Sequence, residues 1–242
     1  SRCLTDKYDV TIEGITLNDL GGTPALVAPV WTTNGEYIYV QIAKNGSNTV
    51  AKINVENGEM QDFFAEKGAI GAISFDKNRE KMAGIYANMS DIGQIIVKNK
   101  ETTKTLTNVN HEKLSEIRLS KVEEVWFTGA NNNQLQGWIM FPPDFDETKK
   151  YPSILEIHGG PLLQYGEYFM HEFYYLAAQG YVVYFCNPRG GKGYGEAHAK
   201  AIWNDWGGAD YADLMTFADL MAEKPYIDTE NMGVTAVSYT HL

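Results

Sequence analysis

Tyr151-Pro152-Ser153-Ile154-Leu155-Glu156-Ile157-His158-Gly159-Gly160-Pro161 is the stretch on which the reading of this chain turns. Residues 153–157 are a short apolar run, and the His-Gly-Gly-Pro that follows turns the backbone sharply. Toward the C-terminus, helix and strand signals then alternate. Residues 167–179 are predicted helical, with Phe169, Phe173, Leu176 and Ala177 near helical spacing and Gly180 as the stop. Residues 181–186 form a continuous apolar run, the pattern of a strand buried on both faces. Residues 196–203 and 209–223 are predicted as helices, the second with Leu214, Phe217, Ala218 and Met221 on one face. Residues 232–236 read as another short strand. Strand, helix, strand, helix, strand predicts a mostly parallel α/β sheet. Just before it, residues 124–128 and 136–141 predict a hairpin around Gly129-Ala130-Asn131-Asn132-Asn133, closed off by Pro142-Pro143.

The first half has a different character. Val30-Trp31-Thr32-Thr33-Asn34-Gly35 precedes a strand-like Tyr37-Ile38-Tyr39-Val40, and 44 residues on, Ser74-Phe75-Asp76-Lys77-Asn78-Arg79 precedes residues 81–86. In each copy an aromatic residue, Trp31 or Phe75, enters a polar turn and is expected in the core. A second strand follows each, at residues 49–55 and 94–97. A period of about 40–50 residues with about four short strands suggests propeller blades, with a plain β-sandwich as the alternative. The change of character puts a domain boundary within residues 115–125, giving 1–118 and 119–242.

Composition narrows the class. Of 242 residues, 44% are hydrophobic and 21% charged, an ordinary globular balance. The formal net charge of −11 argues against a nucleic-acid backbone as main partner. No run approaches the roughly 20 apolar residues of a membrane helix. Two cysteines, Cys3 and Cys186, form neither a disulfide framework nor a metal site and fit a reducing, cytoplasmic compartment. Cys186, in its apolar run, reads as a buried structural thiol. No metal and no cofactor is expected.

Three segments sit where ligands of open α/β sheets bind, beyond the carboxyl ends of strands. His158-Gly159-Gly160-Pro161 offers exposed amides suited to an oxyanion, or is simply a strand exit. Asn187-Pro188-Arg189-Gly190-Gly191-Lys192-Gly193-Tyr194-Gly195 is glycine-rich but is neither a phosphate loop nor a dinucleotide fingerprint. Arg189 is expected to order that loop through carbonyl or carboxylate bonds. The third is Gly233-Val234-Thr235-Ala236-Val237-Ser238-Tyr239-Thr240-His241-Leu242. A strand running into a serine is the setting of a nucleophile elbow, which wants small residues two positions either side of the serine. Ala236, Val237 and Thr240 depart from that pattern.

Together these motifs resemble the prolyl oligopeptidase family of serine peptidases, and within it the acylaminoacyl-peptidase-like branch. The resemblance rests on residues 135–142, Tyr151-Pro152, 158–161, 187–195, Asp205-Trp206-Gly207-Gly208 with Asp210 and Asp213, and Lys224-Pro225-Tyr226-Ile227-Asp228 ahead of Met232-Gly233-Val234-Thr235. It implies the last blades of a β-propeller ahead of an α/β-hydrolase fold that this chain carries only as far as the nucleophile strand. It implies Ser238 as nucleophile, the backbone amides of Gly160 and Tyr239 as the oxyanion hole, and Asp210 and Asp213 as scaffold. His158 and His241 match no base of the family, whose catalytic Asp and His come later in the chain. The implied reaction is hydrolysis of short or N-acylated peptides through an acyl-enzyme, with a short peptide as substrate and a homo-oligomer of the parent protein left open. An esterase of the same fold and a non-catalytic propeller-containing binding protein are the alternatives. Residues 237–242 also back-translate as GTC TCT TAT ACA CAT CTN, the end of a transposon adapter used in sequencing libraries. The expectation is therefore that the gene-encoded stretch stops near Ala236 and that this chain alone is inactive.

Overall fold

A computed structural model describes residues 2–21 and 27–238, which form two compact units. The first unit comprises Ser1–Ser115 with Gly166–Phe169 and Gly193–Glu196. It holds β1 (Val30–Trp31), β2 (Tyr37–Lys44), β3 (Ser47–Asn54), β4 (Met60–Phe64), β5 (Ala69–Phe75), β6 (Met82–Asn88), β7 (Asp91–Lys98), β8 (Thr103–Thr105) and the short α1 (His111–Ser115). β1 to β4 are one antiparallel meander and β5 to β8 a second. A single parallel pairing, Asn48 with Ala69, joins them. The 44-residue repeat of the sequence is present in the turns. Thr32 N–H donates to Tyr37 O and Gly35 N–H to Thr32 O; Asp76 N–H donates to Lys81 O and Arg79 N–H to Asp76 O. Gly35 and Arg79, again 44 apart, both take positive φ, +72° and +59°. Tyr39, Val50, Phe64, Ile70, Met82 and Ile96 form the buried centre, with Phe75 packed against it. Trp31 departs from expectation: it is 52% exposed, because β1 is two residues long and lies at the end of the sheet.

The second unit comprises Glu116–Tyr165, Met170–Lys192 and Ala197–Leu242. β9 (Val122–Thr128) and β10 (Gln134–Met140) form the expected hairpin. β11 (Tyr151–Ile157), α2 (His171–Ala178), β12 (Val182–Cys186), α3 (Glu196–Lys200), α4 (Ala209–Ala222) and β13 (Ile227–Ala236) follow. The sheet order is β13-β11-β12-β10-β9, with β13, β11 and β12 parallel and the hairpin antiparallel at one side. All five residues of β12 are buried, as a strand covered on both faces requires. Its alternation divides the work: Phe185 meets Phe173 of α2 at 4.6 Å, and Tyr184 meets Phe217 of α4 at 5.4 Å. Leu214, Phe217 and Met221 are the buried stripe of α4, as the spacing predicted, with Ala218 at its margin.

Two helices are shorter than the periodicity predicts. α2 begins only at His171, because Gly166–Phe169 group with the first unit, where Glu167 N–H donates to Gly46 O at 2.9 Å. α3 ends at Lys200 and tightens into a turn in which Trp203 N–H returns to Lys200 O. β13 is longer than predicted. It starts at Ile227 opposite Tyr151, and its register shifts before Met232 meets Ser153. Among the described residues, no helix is long and apolar enough to cross a membrane.

Candidate active site

The site begins with register. β11 and β13 run parallel with Ile157 opposite Ala236, and Val237 N–H adds one more bond to Ile157 O at 3.1 Å. Both strands therefore release their loops at the same edge of the sheet, the position where this class of sheet binds ligands. The first loop opens with His158, whose Nδ1–H donates to Gly159 O at 2.9 Å. The ring is buried, and burial pushes its pKa below the usual histidine value, so it is neutral. Gly159 can only be glycine: a Cβ there would lie 2.6 Å from Val237 O and 3.1 Å from Ser238 Cβ. Gly160 is exposed, with φ +135°, and its Cβ would meet Leu162 N at 2.9 Å. Only glycine holds that backbone without strain.

Ser238 is exposed and has φ +76°. A positive φ is uncommon for a residue other than glycine, and Ser238 takes it two positions beyond the end of β13. The neighbours Ala236 and Val237, which break the elbow's sequence pattern, do not prevent that conformation at Ser238. Tyr239, Thr240 and His241 lie outside the described residues. The structure thus brings the Gly159-Gly160 loop against Ser238.

The loop after β12 is the third component. Asn187 is fully buried, and its side chain bonds both backbone groups of Tyr165. Arg189 forks onto Asp213 of α4, Nε to Oδ2 and Nη2 to Oδ1 at 2.8 Å each, while Arg189 N–H reaches Oδ2 at 3.0 Å. The Asp213 side chain has no exposed surface and that of Arg189 is 12% exposed. The expected carboxylate partner of Arg189 is therefore Asp213, one of the residues read as scaffold. Asp210 is also buried, in the first turn of α4. His198 donates from Nε2 to Pro188 O at 2.9 Å, and burial lowers its pKa too. Cys186 is buried, and its thiol is pushed far up by that burial, with the Asp213 charge adding to it. It is inert as a nucleophile.

Sequence reasoning missed two links. It named Arg189 and Asp213 without pairing them, since 24 residues separate them and opposite charge in an apolar context was the only signal. It noted Asn187 only as the start of a glycine-rich loop, and nothing in its spacing points to Tyr165. Among the described residues, no group of three or more His, Cys, Asp or Glu could hold a metal ion.

Residues 167–239 match the sequence profile described as the prolyl oligopeptidase family. The chain is 34% identical over 243 residues to an uncharacterized peptidase, YuxL, of Bacillus subtilis, covering 98% of this chain and 36% of that protein. It is 30% identical over 178 residues to dipeptidyl-peptidase 5 of Porphyromonas endodontalis, covering 72% of this chain and 26% of that protein. Among solved structures it superposes on the acylaminoacyl peptidase of Pyrococcus horikoshii with a TM-score of 0.80 at 22% identity, over 98% of this chain and 34% of that one. This likeness establishes a shared fold. The chain spans between about a quarter and about a third of the length of these relatives.

Proposed function

Because the chain belongs to the prolyl oligopeptidase family, we propose that the full-length protein is a serine-type peptidase that hydrolyses short or N-acylated peptides through an acyl-enzyme. What supports this reading is the parallel β11–β13 register, which releases the Gly159-Gly160 turn and the chain at position 238 side by side, position 238 being the nucleophile register that the family resemblance implies. In the proposed reaction Oγ of the serine in the register of Ser238 adds to the substrate carbonyl as its proton passes to a base. The C–N bond then breaks, the amine leaves with that proton, and water hydrolyses the ester. The backbone N–H groups of Gly160 and Tyr239 would donate hydrogen bonds to the developing oxyanion, each donor contributing about 2.7–4 kcal/mol. His158 and His198 are committed to backbone carbonyls; on the family resemblance, the base and its orienting acid are proposed to lie in the rest of the longer protein.

Residues 1–118 are proposed as the last blades of a β-propeller, and 119–242 as the first half of an α/β-hydrolase domain. The repeat of turn hydrogen bonds at 44 residues supports the blades over a sandwich. A propeller ahead of the hydrolase domain, which the family resemblance implies, would restrict substrates to short, unfolded peptides. The names of the relatives supply the substrate classes to compare. Full-length protein should turn over acyl-amino-acid or dipeptidyl anilides at least tenfold faster, by kcat/KM, than simple esters of matched leaving group. A reversed preference would move the reading to an esterase.

A further inference from the structure

Asn187 closes β12 with its backbone, its N–H donating to Gln136 O at 3.0 Å. Its side chain does something separate. Oδ1 accepts from Tyr165 N–H at 2.8 Å and Nδ2 donates to Tyr165 O at 2.8 Å, so one planar amide satisfies both main-chain groups of one residue. Tyr165 ends the segment that begins with His158-Gly159-Gly160, and its ring packs edge-on against His158 at 5.1 Å. A second stitch lies between them, Lys192 N–H to Leu163 O at 3.1 Å. Two residues beyond Asn187, the Arg189–Asp213 fork anchors the same loop to α4. The Gly160 segment is thus held at its start by the β11 ladder and at its end by Asn187.

We propose that Asn187 is a positioning residue that fixes the Gly160 amide relative to Ser238; the proposal rests on the serine-peptidase reading above. Asn187 touches no reacting atom and acts through Tyr165 and through His158, toward which its side chain also hydrogen-bonds. The residue type follows from the contact. The partner needs a donor and an acceptor in one plane, which Asn has and ionised Asp lacks. A donor aimed at an oxyanion stabilises only where geometry is held to within about 0.5 Å. Loosening the far end of the segment should weaken transition-state binding while leaving ground-state binding intact, lowering kcat and not raising KM.

The test uses the full-length protein with its best anilide substrate and a fluorophosphonate probe. N187A should lower kcat by roughly 10–100-fold, below the 10²–10³ of losing a donor outright, with KM within twofold and the labelling rate falling in parallel. N187D keeps the acceptor and loses the donor while ionised. Burial raises the pKa of a carboxyl, and once protonated the group regains an O–H for Tyr165 O. The ratio of N187D to wild-type kcat, with each kcat expressed per probe-titratable folded site, should therefore rise as pH is lowered; His158, the titratable group that this side chain faces, is held neutral by burial, and counting only folded sites removes the effect of a purely structural role. If N187A does not fold, the N187D ratio decides. A folded N187A with wild-type kcat, a loss expressed in KM alone, or an N187D ratio flat with pH overturns the proposal. A wild-type protein that neither turns over substrate nor takes up the probe overturns the functional reading and this inference with it; an active wild type with unmoved variants overturns this inference alone.

Discussion

Gly159 has no side chain because Val237 O occupies the place where one would go. A methyl there would lie 2.6 Å from that oxygen, and the obstacle is backbone, so the strand ends themselves must separate. Gly159→Ala is expected to cost about 1–3 kcal/mol by overpacking and to displace Ser238, abolishing its labelling in full-length protein; an alanine variant labelled at the wild-type rate would contradict the close approach. The Arg189–Asp213 fork is the other residue-scale commitment. Asp213→Ala leaves a guanidinium nearly buried without its partner, and losses of this kind run to roughly 3–5 kcal/mol. Denaturant titration should show a lowered midpoint for D213A. An unchanged midpoint would mean that the pair contributes nothing. At this scale the sequence was informative where chemistry is local: paired glycines after an apolar strand announce a tight exit, and an arginine in a glycine-rich loop announces a carboxylate or carbonyl. It was uninformative for pairs such as Asn187 with Tyr165, where the contact is made by folding and neither residue type demands the other.

The elements carry a pH dependence of their own. His158 follows β11 and His198 lies in α3; burial is the leading cause that puts both below the reference value of 6.5. The unfolded chain then binds more protons than the folded one as pH falls through 6.5. Stability from these groups is complete above that pH and declines below it. Asp76, Asp146 and Asp228 act in the same direction in a lower window. Hydrogen bonds lead in holding them below 3.8, and their contribution is lost only as pH drops beneath that value. Thermal melts should therefore fall in two stages, and His198→Gln should make the stage below pH 6.5 shallower while leaving the acid stage alone. Identical slopes for the variant and wild type would remove His198 from the account. Element by element, legibility tracked how self-contained each signal was. The β9–β10 hairpin and α4 are set by their own turn and stripe and were read correctly. α2 lost its first turn to contacts made by Gly166–Phe169 with the first unit, and β13 gained residues through pairing with β11. No local pattern encodes either partner.

At the scale of the molecule, the two halves have distinct grammar, antiparallel meanders and then a parallel α/β sheet, and both were legible because period-two and strand–helix alternation differ so strongly. The far edge was less so. β13 lies at the edge of the sheet among the described residues, Val234 is 65% exposed, and a cavity of about 650 Å³ opens between α4 and β13, lined by Leu155, Leu214, Met215, Met232 and Val234. Expressed alone, this chain is expected to self-associate through that apolar edge and to show no peptidase activity. A monomeric, active 242-residue chain would contradict this. Sequencing the parent DNA across codons 236–241 is expected to read Gly-Gly-Ser-Tyr-Gly-Gly, with the serine in the register of Ser238; codons for Ala-Val-Ser-Tyr-Thr-His there would favour a family member without a working elbow. The central claim is that this serine is a nucleophile. The most direct measurement is peptide mapping of full-length protein after reaction with a fluorophosphonate. The account predicts one adduct, on the serine at position 238, blocked by prior acylation with substrate. No adduct, or an adduct at another residue with position 238 unmodified, would contradict it.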